Sequence, residues 1–326
     1  MSLLRIDGLS VEFPGGVRAA REVTLDVRAG ETLAVVGESG SGKSVTALAV
    51  LGLLPETAKV TAGRIEFDGV DLLRCRPRRL NELRGGAIAM VYQDPLTALN
   101  PVLTVGRQIE EALRRHLGLG RRAAAGRAAE LLDLVGIPQP GQRLKDYPHQ
   151  FSGGMRQRVV IAMAISCDPR LIIADEPTTA LDVTMQAQIL HLLRRLRDDL
   201  GTSLMLISHD VGVVAGLADR VAVMYAGRVV ERGSAAEVIG APNHPYGRGL
   251  LASVPRIDAA ARTGFAAIPG TPPDPAALPA GCAFAPRCGH VVDRCRAEDP
   301  PLLDAAGGRQ VACWRHAEVA AAGGGA

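Results

Sequence analysis

At 326 residues the chain is long enough to bury a sizeable core and to form about two domains. Its 37 basic and 34 acidic residues leave a net charge of +3, which excludes the basic footprint of a nucleic-acid or anionic-lipid binder, so no nucleic-acid partner is expected. No run of about 18 apolar residues occurs, and Met1-Ser2-Leu3-Leu4-Arg5 lacks the charged-then-apolar pattern of a signal peptide, so the expectation is a chain that stays in the cytosol.

Residues 1 to about 92 read as strands around one glycine loop: Arg5 to Phe13, Val23 to Val27, Leu33 to Val36, Arg64 to Phe67 and Ala87 to Tyr92. Turn signals such as Arg28-Ala29-Gly30-Glu31 separate them. From Thr104 to Ser166 the apolar spacing becomes helical, through Ile109, Leu113 and Leu117 and then Ala128, Leu131, Leu132 and Val135. An inserted helical subdomain is expected there. Alternation then resumes with a strand from Leu171 to Ala174, a helix from Val183 to Asp199, a strand from Ser203 to Ile207, and a hairpin through Val221 to Val230. After about Gly240 proline, glycine and alanine dominate, and the final Ala320 to Ala326 reads as disordered.

Two motifs carry the chemistry. Gly37-Glu38-Ser39-Gly40-Ser41-Gly42-Lys43-Ser44 matches the phosphate-loop pattern G-x-x-x-x-G-K-[ST] in full, between an apolar strand and an amphipathic helix from Val45 to Leu54. Glycines let the backbone curl its N–H groups toward phosphate oxygens, and the helix opening at Ser44 adds its positive end. The chain is therefore expected to bind a nucleoside triphosphate. Leu171-Ile172-Ile173-Ala174-Asp175-Glu176 is an apolar strand ending in two carboxylates, which suits Asp175 to holding Mg²⁺ and Glu176 to orienting a water. Between them, Ser152-Gly153-Gly154 is a glycine-rich start of a helix that Ser152 can cap.

Together these motifs resemble the ATP-binding subunits of ATP-binding cassette (ABC) transporters from about Leu4 to Cys313. The resemblance implies an α/β P-loop ABC ATPase cassette: a mixed core sheet with helices, an antiparallel β subdomain, and an inserted helical subdomain over about residues 94–168. The cassette would span 1–240, and a small cysteine-containing extension 241–326. The family's phosphate loop falls on Gly37 to Ser44 with Val45 beside it, its Gln loop on Gln93, and its signature on Ser152, Gly153 and Gly154. Its metal and base carboxylates fall on Asp175 and Glu176, with Ser44 and Gln93 as further Mg²⁺ ligands. Its D-loop matches Ala180-Leu181-Asp182, its switch histidine matches His209, and Phe13 sits where the family stacks an aromatic on adenine. Lys43, Gln93, Glu176 and His209 are thereby the expected catalytic set. A strand-end histidine is by itself more often structural, and an early Phe is as often core.

The stretch Tyr92-Gln93-Asp94-Pro95-Leu96-Thr97-Ala98-Leu99-Asn100-Pro101, the run Asp175-Glu176-Pro177-Thr178-Thr179-Ala180-Leu181-Asp182, and the tail with His244-Pro245-Tyr246, Leu250 to Pro255 and Gly281-Cys282 through Arg287-Cys288 look like the dipeptide/oligopeptide/nickel branch. Gly247 and Gly249 interrupt the segment after His244-Pro245-Tyr246, which leaves its helix in question. The branch implies an ATP-hydrolysing subunit that energises uptake of peptides, or of nickel, on the cytoplasmic face of the membrane. Two permease subunits, a second ABC ATPase and, indirectly, a solute-binding protein would be its partners. Docking of the permease is expected along Gln93 to Thr104, with Leu99 and Val102 as coupling residues. The rival classes are a soluble ABC ATPase acting on nucleic acid or the ribosome, and a nucleotide-dependent regulator.

Six cysteines in a cytosolic chain argue against a disulfide framework, leaving Cys75 and Cys167 as single thiols. The other four, Cys282, Cys288, Cys295 and Cys313, are spaced C-x5-C-x6-C-x17-C. The resemblance implies a [4Fe–4S] cluster on them; zinc and unliganded thiols are the alternatives.

Overall fold

Twelve strands form among the described residues of the computed structural model, which are 2–179, 181–253 and 268–321. They are β1 (Ser2–Phe13), β2 (Val17–Arg28), β3 (Thr32–Val36), β4 (Lys59–Phe67), β5 (Val70–Asp71), β6 (Ile88–Val91), β7 (Leu171–Asp175), β8 (Ser203–Ser208), β9 (Arg220–Tyr225), β10 (Arg228–Ser234), β11 (Leu303–Asp304) and β12 (Gln310–Val311). The chain divides into two compact units. One comprises Arg28–Glu31 and Arg74–Ile207; the other comprises Ser2–Val27, Thr32–Leu73 and Ser208–Ala326.

In the unit around Arg74–Ile207, β6, β7 and β8 pair in parallel, in register from Ile88↔Leu171 and Leu171↔Ser203 to Asp175↔Ile207. Their near-continuous apolar runs are buried throughout β7 and β8, as strands covered on both faces require. The expected helical insert is present as helices Val105–Leu117, Arg121–Leu134 and Gly153–Ile165. Thr104 caps the first by accepting the Arg107 N–H at 3.4 Å, and Val105, Ile109 and Leu113, four residues apart, are its fully buried stripe. Each such side chain contributes roughly 1.5–3 kcal/mol on burial. The long helix Val183–Leu200 stops at Gly201, in the left-handed conformation at φ 63°.

The second unit holds an antiparallel sheet ordered β2-β1-β4-β5 and the strands β11-β12-β10-β9-β3, of which β3 and β9 are parallel and the others antiparallel. β2 begins well before the expected Val23. Its first residues admit an exposed Arg18, while the half-buried Arg21 is paired with Asp299 at 2.9 Å.

The described residues of the proline-rich tail carry more regular structure than their composition suggests. β12 adds to the edge of β10 through Glu231↔Val311 and Arg232↔Gln310, so backbone pairing on the sheet supplies the ordering. Helix Pro245–Ala252 forms despite its glycines, which stand where neighbouring side chains pack close. A Cβ on Gly247 would stand 3.1 Å from Glu231 Oε2, and one on Gly249 2.9 Å from Ile268 Cγ1. His244 caps this helix, its Nδ1 accepting the Tyr246 N–H at 3.0 Å. Ala320 and Ala321, expected to be disordered, close the helix His316–Ala321. Residues 322–326, and Val254 and Pro255 of the branch-like tail segment, lie outside the described residues.

Candidate functional site

The phosphate loop leaves the fully buried β3 and turns into helix Lys43–Leu51, which opens before the expected Val45 and is closed by Gly52, short of the expected Leu54. Its glycines are required by geometry. Gly42 has φ 99°, and a Cβ there would overlap the Ala19 carbonyl oxygen; one on Gly37 would overlap that of Met224. Ser39 and Gly40 are exposed, while Ser41, Gly42 and Lys43 are buried, with Ser44 and Val45 half-buried at the start of the helix. Lys43 Nζ donates to the carbonyls of Gly37 (2.8 Å) and Glu38 (2.9 Å) and to Ser41 Oγ (3.3 Å). The ammonium is thus held inside the loop where an anion would be cradled. In the same unit Phe13 ends β1 half-buried, and His209 is exposed between β8 and Asp210, which caps helix Val211–Ala215.

In the other unit β7 delivers Asp175, which is buried, and then Glu176, which is half-buried. Glu176 adopts φ 47°, an uncommon conformation for a residue with a side chain and one that clusters at functional sites. Its N–H donates to the Ile207 carbonyl at 2.9 Å. Its Oε2 accepts from Gln93 Nε2 at 3.0 Å and from Thr179 Oγ1 at 2.9 Å, so the expected base and the expected Gln-loop residue are brought together. Thr179 was not among the candidate residues; its place three positions after Glu176, on a turn closed by Thr179 N–H to Glu176 O at 3.1 Å, is the signal that could have found it.

Ser152 caps helix Gly153–Ile165 as expected, accepting the Met155 N–H at 3.4 Å. Gly153 faces open space, whereas a Cβ on Gly154 would overlap Met185 Cε. Asp182 caps helix Val183–Leu200 by accepting the Met185 N–H at 2.9 Å; Ala180 lies outside the described residues. The expected coupling segment needs one correction. Leu99 is 3% exposed and belongs to the core, whereas Leu96 and Val102 are 58% and 75% exposed. A one-turn helix Pro95–Ala98, capped by Asp94, tucks Leu99 inward.

Cys282, Cys288, Cys295 and Cys313 line one small cavity together with Phe284 and Trp314. Burial pushes the Cys282 thiol up to about 12 and that of Cys313 to about 11, so both are neutral thiols as the chain stands. Among the described residues, no group of three or more His, Cys, Asp or Glu side chains is set to hold a metal ion. The donor chemistry fits a soft metal or cluster, but the sulfurs do not form a finished site.

The extension also reaches the phosphate loop, which the sequence did not disclose. Arg287 grips the Glu38 carboxylate at two points, Nη1 to Oε2 at 2.7 Å and Nη2 to Oε1 at 3.0 Å, and the Tyr246 hydroxyl accepts the Glu38 N–H at 2.7 Å.

The sequence matches the family model described as ABC transporter over residues 20–179 and that of the oligopeptide/dipeptide transporter C-terminal region over residues 230–295. It is 51% identical over 316 residues to the dipeptide transport ATP-binding protein DppD of Bacillus subtilis (strain 168), covering 96% of this chain and 94% of that one. It is 48% identical over 319 residues to the oligopeptide transport ATP-binding protein OppD of Salmonella typhimurium, covering 97% and 94%. Among solved structures, the ATP-binding cassette MJ0796, a dimer in a post-hydrolysis state with ADP and Pi, superposes with a TM-score of 0.64 at 27% identity, covering 71% of this chain and 98% of that one. The cbiO1 subunit from Clostridium perfringens gives 0.63 at 29%, covering 73% and 91%.

Proposed function

The chain belongs to the ABC transporter family, and from that premise we propose that it is the ATPase subunit energising uptake of di- or oligopeptides through separate permease subunits. End-to-end similarity to dipeptide and oligopeptide ATP-binding proteins supports the peptide class. The observation that carries the hydrolytic reading is the Glu176 carboxylate, held by Gln93 and Thr179 at the end of a buried strand.

Lys43 and the loop N–H groups bind the β- and γ-phosphates, and Phe13 stacks on the adenine. Mg²⁺, taken by Ser44, Gln93 and Asp175, would offset charge on the phosphate oxygens. Glu176 accepts the proton of the attacking water as its oxygen bonds to the γ-phosphorus, the bond to ADP breaks, and His209 contacts the transferring group. Ser152, Gly153 and Gly154 of a second ATPase subunit close over the γ-phosphate, with Asp182 at the contact between subunits, so that closure and hydrolysis alternate. Among the described residues no helix is long and apolar enough to cross a membrane, which suits a subunit held on the cytoplasmic face by two permease partners, with a solute-binding protein delivering peptide. Residues 1–240 form the cassette in this reading and 241–326 the branch-specific extension.

The exposed Leu96 and Val102 are the apolar contacts offered to the permease. Leu96→Glu with Val102→Glu should leave nucleotide binding intact and abolish peptide-stimulated hydrolysis in the assembled transporter. Unchanged stimulation would place the coupling surface elsewhere.

We further propose that Cys282, Cys288, Cys295 and Cys313 hold a [4Fe–4S] cluster, with zinc as the competitor. Binding would draw the four thiols together and release their protons. Protein purified without oxygen should be brown and contain iron and acid-labile sulfide, and Cys288→Ser should bleach it. A colourless protein with one tightly held zinc would contradict the cluster.

A further inference from the structure

Glu38 is the second residue of the phosphate loop, and it is held from three sides. Lys43 Nζ donates to its carbonyl at 2.9 Å, the Tyr246 hydroxyl accepts its N–H at 2.7 Å, and Arg287 takes its carboxylate at two points. Only the first of these partners belongs to the loop. Tyr246 and Arg287 stand 208 and 249 residues along the chain from Glu38, in the extension, and both are buried, Tyr246 completely.

Arg287 is itself fully engaged. Its Nε donates to the Pro269 carbonyl at 2.9 Å, its Nη1 also donates to the Tyr225 hydroxyl at 3.3 Å, and the Tyr225 and Phe284 rings lie 5.9 Å from its guanidinium carbon. Tyr225, Tyr246 and Phe284 pack on one another with ring centroids 4.5–5.5 Å apart. A planar guanidinium set this way is fixed in position and cannot follow Glu38 if the loop moves. Left unpaired, the Glu38 carboxylate would place a negative charge within the loop that must receive a polyanion.

We propose that the C-terminal extension is a positioning clamp for the phosphate loop, in which Arg287 and Tyr246 fix Glu38 and thereby set the affinity for nucleotide. The clamp rests on the reading of this loop as the ATP site. Arg287 and Tyr246 are positioning residues; they act through Glu38. The turn that carries Arg287 runs directly into Cys288 and is tied to Cys282 by Ala285 N–H to Cys282 O at 2.9 Å, and Phe284, packed on Tyr246, lines the same cavity, so the cysteine-lined cavity adjoins both side chains that grip the loop.

The test is titration of the purified full chain with a fluorescent ATP analogue, alongside thermal unfolding. Arg287→Ala should raise Kd about tenfold or more. Tyr246→Phe, which removes one hydroxyl and keeps the packing, should raise it about fivefold with little change in unfolding temperature. Arg287→Lys should recover part of the loss, and Glu38→Gln combined with Arg287→Ala should cost no more than the larger single change. Unchanged Kd in Tyr246→Phe and Arg287→Ala, or losses that add in the double variant, would overturn the clamp. If the unaltered chain fails to bind the analogue, the reading of the loop itself fails, a result distinct from the first.

Discussion

Glu176→Gln is expected to retain ATP binding and to lose about two orders of magnitude or more of turnover, since a positioned general base contributes that much. The substitution is close to isosteric. The glutamine oxygen can take the place of Oε2 and accept from both Gln93 Nε2 and Thr179 Oγ1, so the local hydrogen bonds and the φ of 47° survive. What the amide cannot do is accept the proton of the attacking water. Nucleotide-bound, closed dimer should therefore accumulate, readable as an ATP-dependent shift in size-exclusion chromatography. ATPase activity near that of the unaltered chain, with partner subunits present, would remove Glu176 from the base role.

The second large effect is expected at Gly42. Gly42→Val should abolish nucleotide binding, because the residue holds φ 99° and a Cβ would overlap the Ala19 carbonyl, a backbone atom that cannot swing aside. The loop must then open, and the Lys43 ammonium, now bonded to the Gly37 and Glu38 carbonyls, loses its frame. Gly40 supplies the internal comparison. It also has positive φ, 76°, but nothing lies within 4 Å of its Cβ position, so Gly40→Ala should cost only about 1 kcal/mol of conformational strain. Equal nucleotide affinities for the Gly42 and Gly40 variants, in a titration with labelled ATP, would refute the account of the loop.

These residues also mark how far the sequence could be read. The strand, glycine loop and helix at Thr32 to Leu51, and the strand that delivers Asp175 and Glu176, were legible because each is a local pattern: an apolar run, a turn of defined composition and a helical stripe. The burial of Leu99 is not legible, since a leucine between two prolines carries no periodicity to reveal the one-turn helix that buries it. The helix after His244 is obscured by its glycines, which local propensity counts as a cost and which sit in close packing against Glu231 and Ile268. Least legible was the grip of Arg287 on Glu38. It joins residues 249 apart, and no local window holds both. One arginine in a proline-rich tail reads as an exposed charge, and only the aromatic packing of Tyr225, Tyr246 and Phe284 makes it a fixed one.

Peptide accumulation by vesicles that carry the assembled transporter tests the central claim most directly. With this chain, a second ATPase subunit, permease subunits and the proposed solute-binding protein present, a labelled di- or oligopeptide should accumulate only when Mg·ATP is supplied on the side facing this subunit, and hydrolysis should rise with peptide. Accumulation that proceeds equally without this chain, or hydrolysis indifferent to every peptide offered, would contradict it.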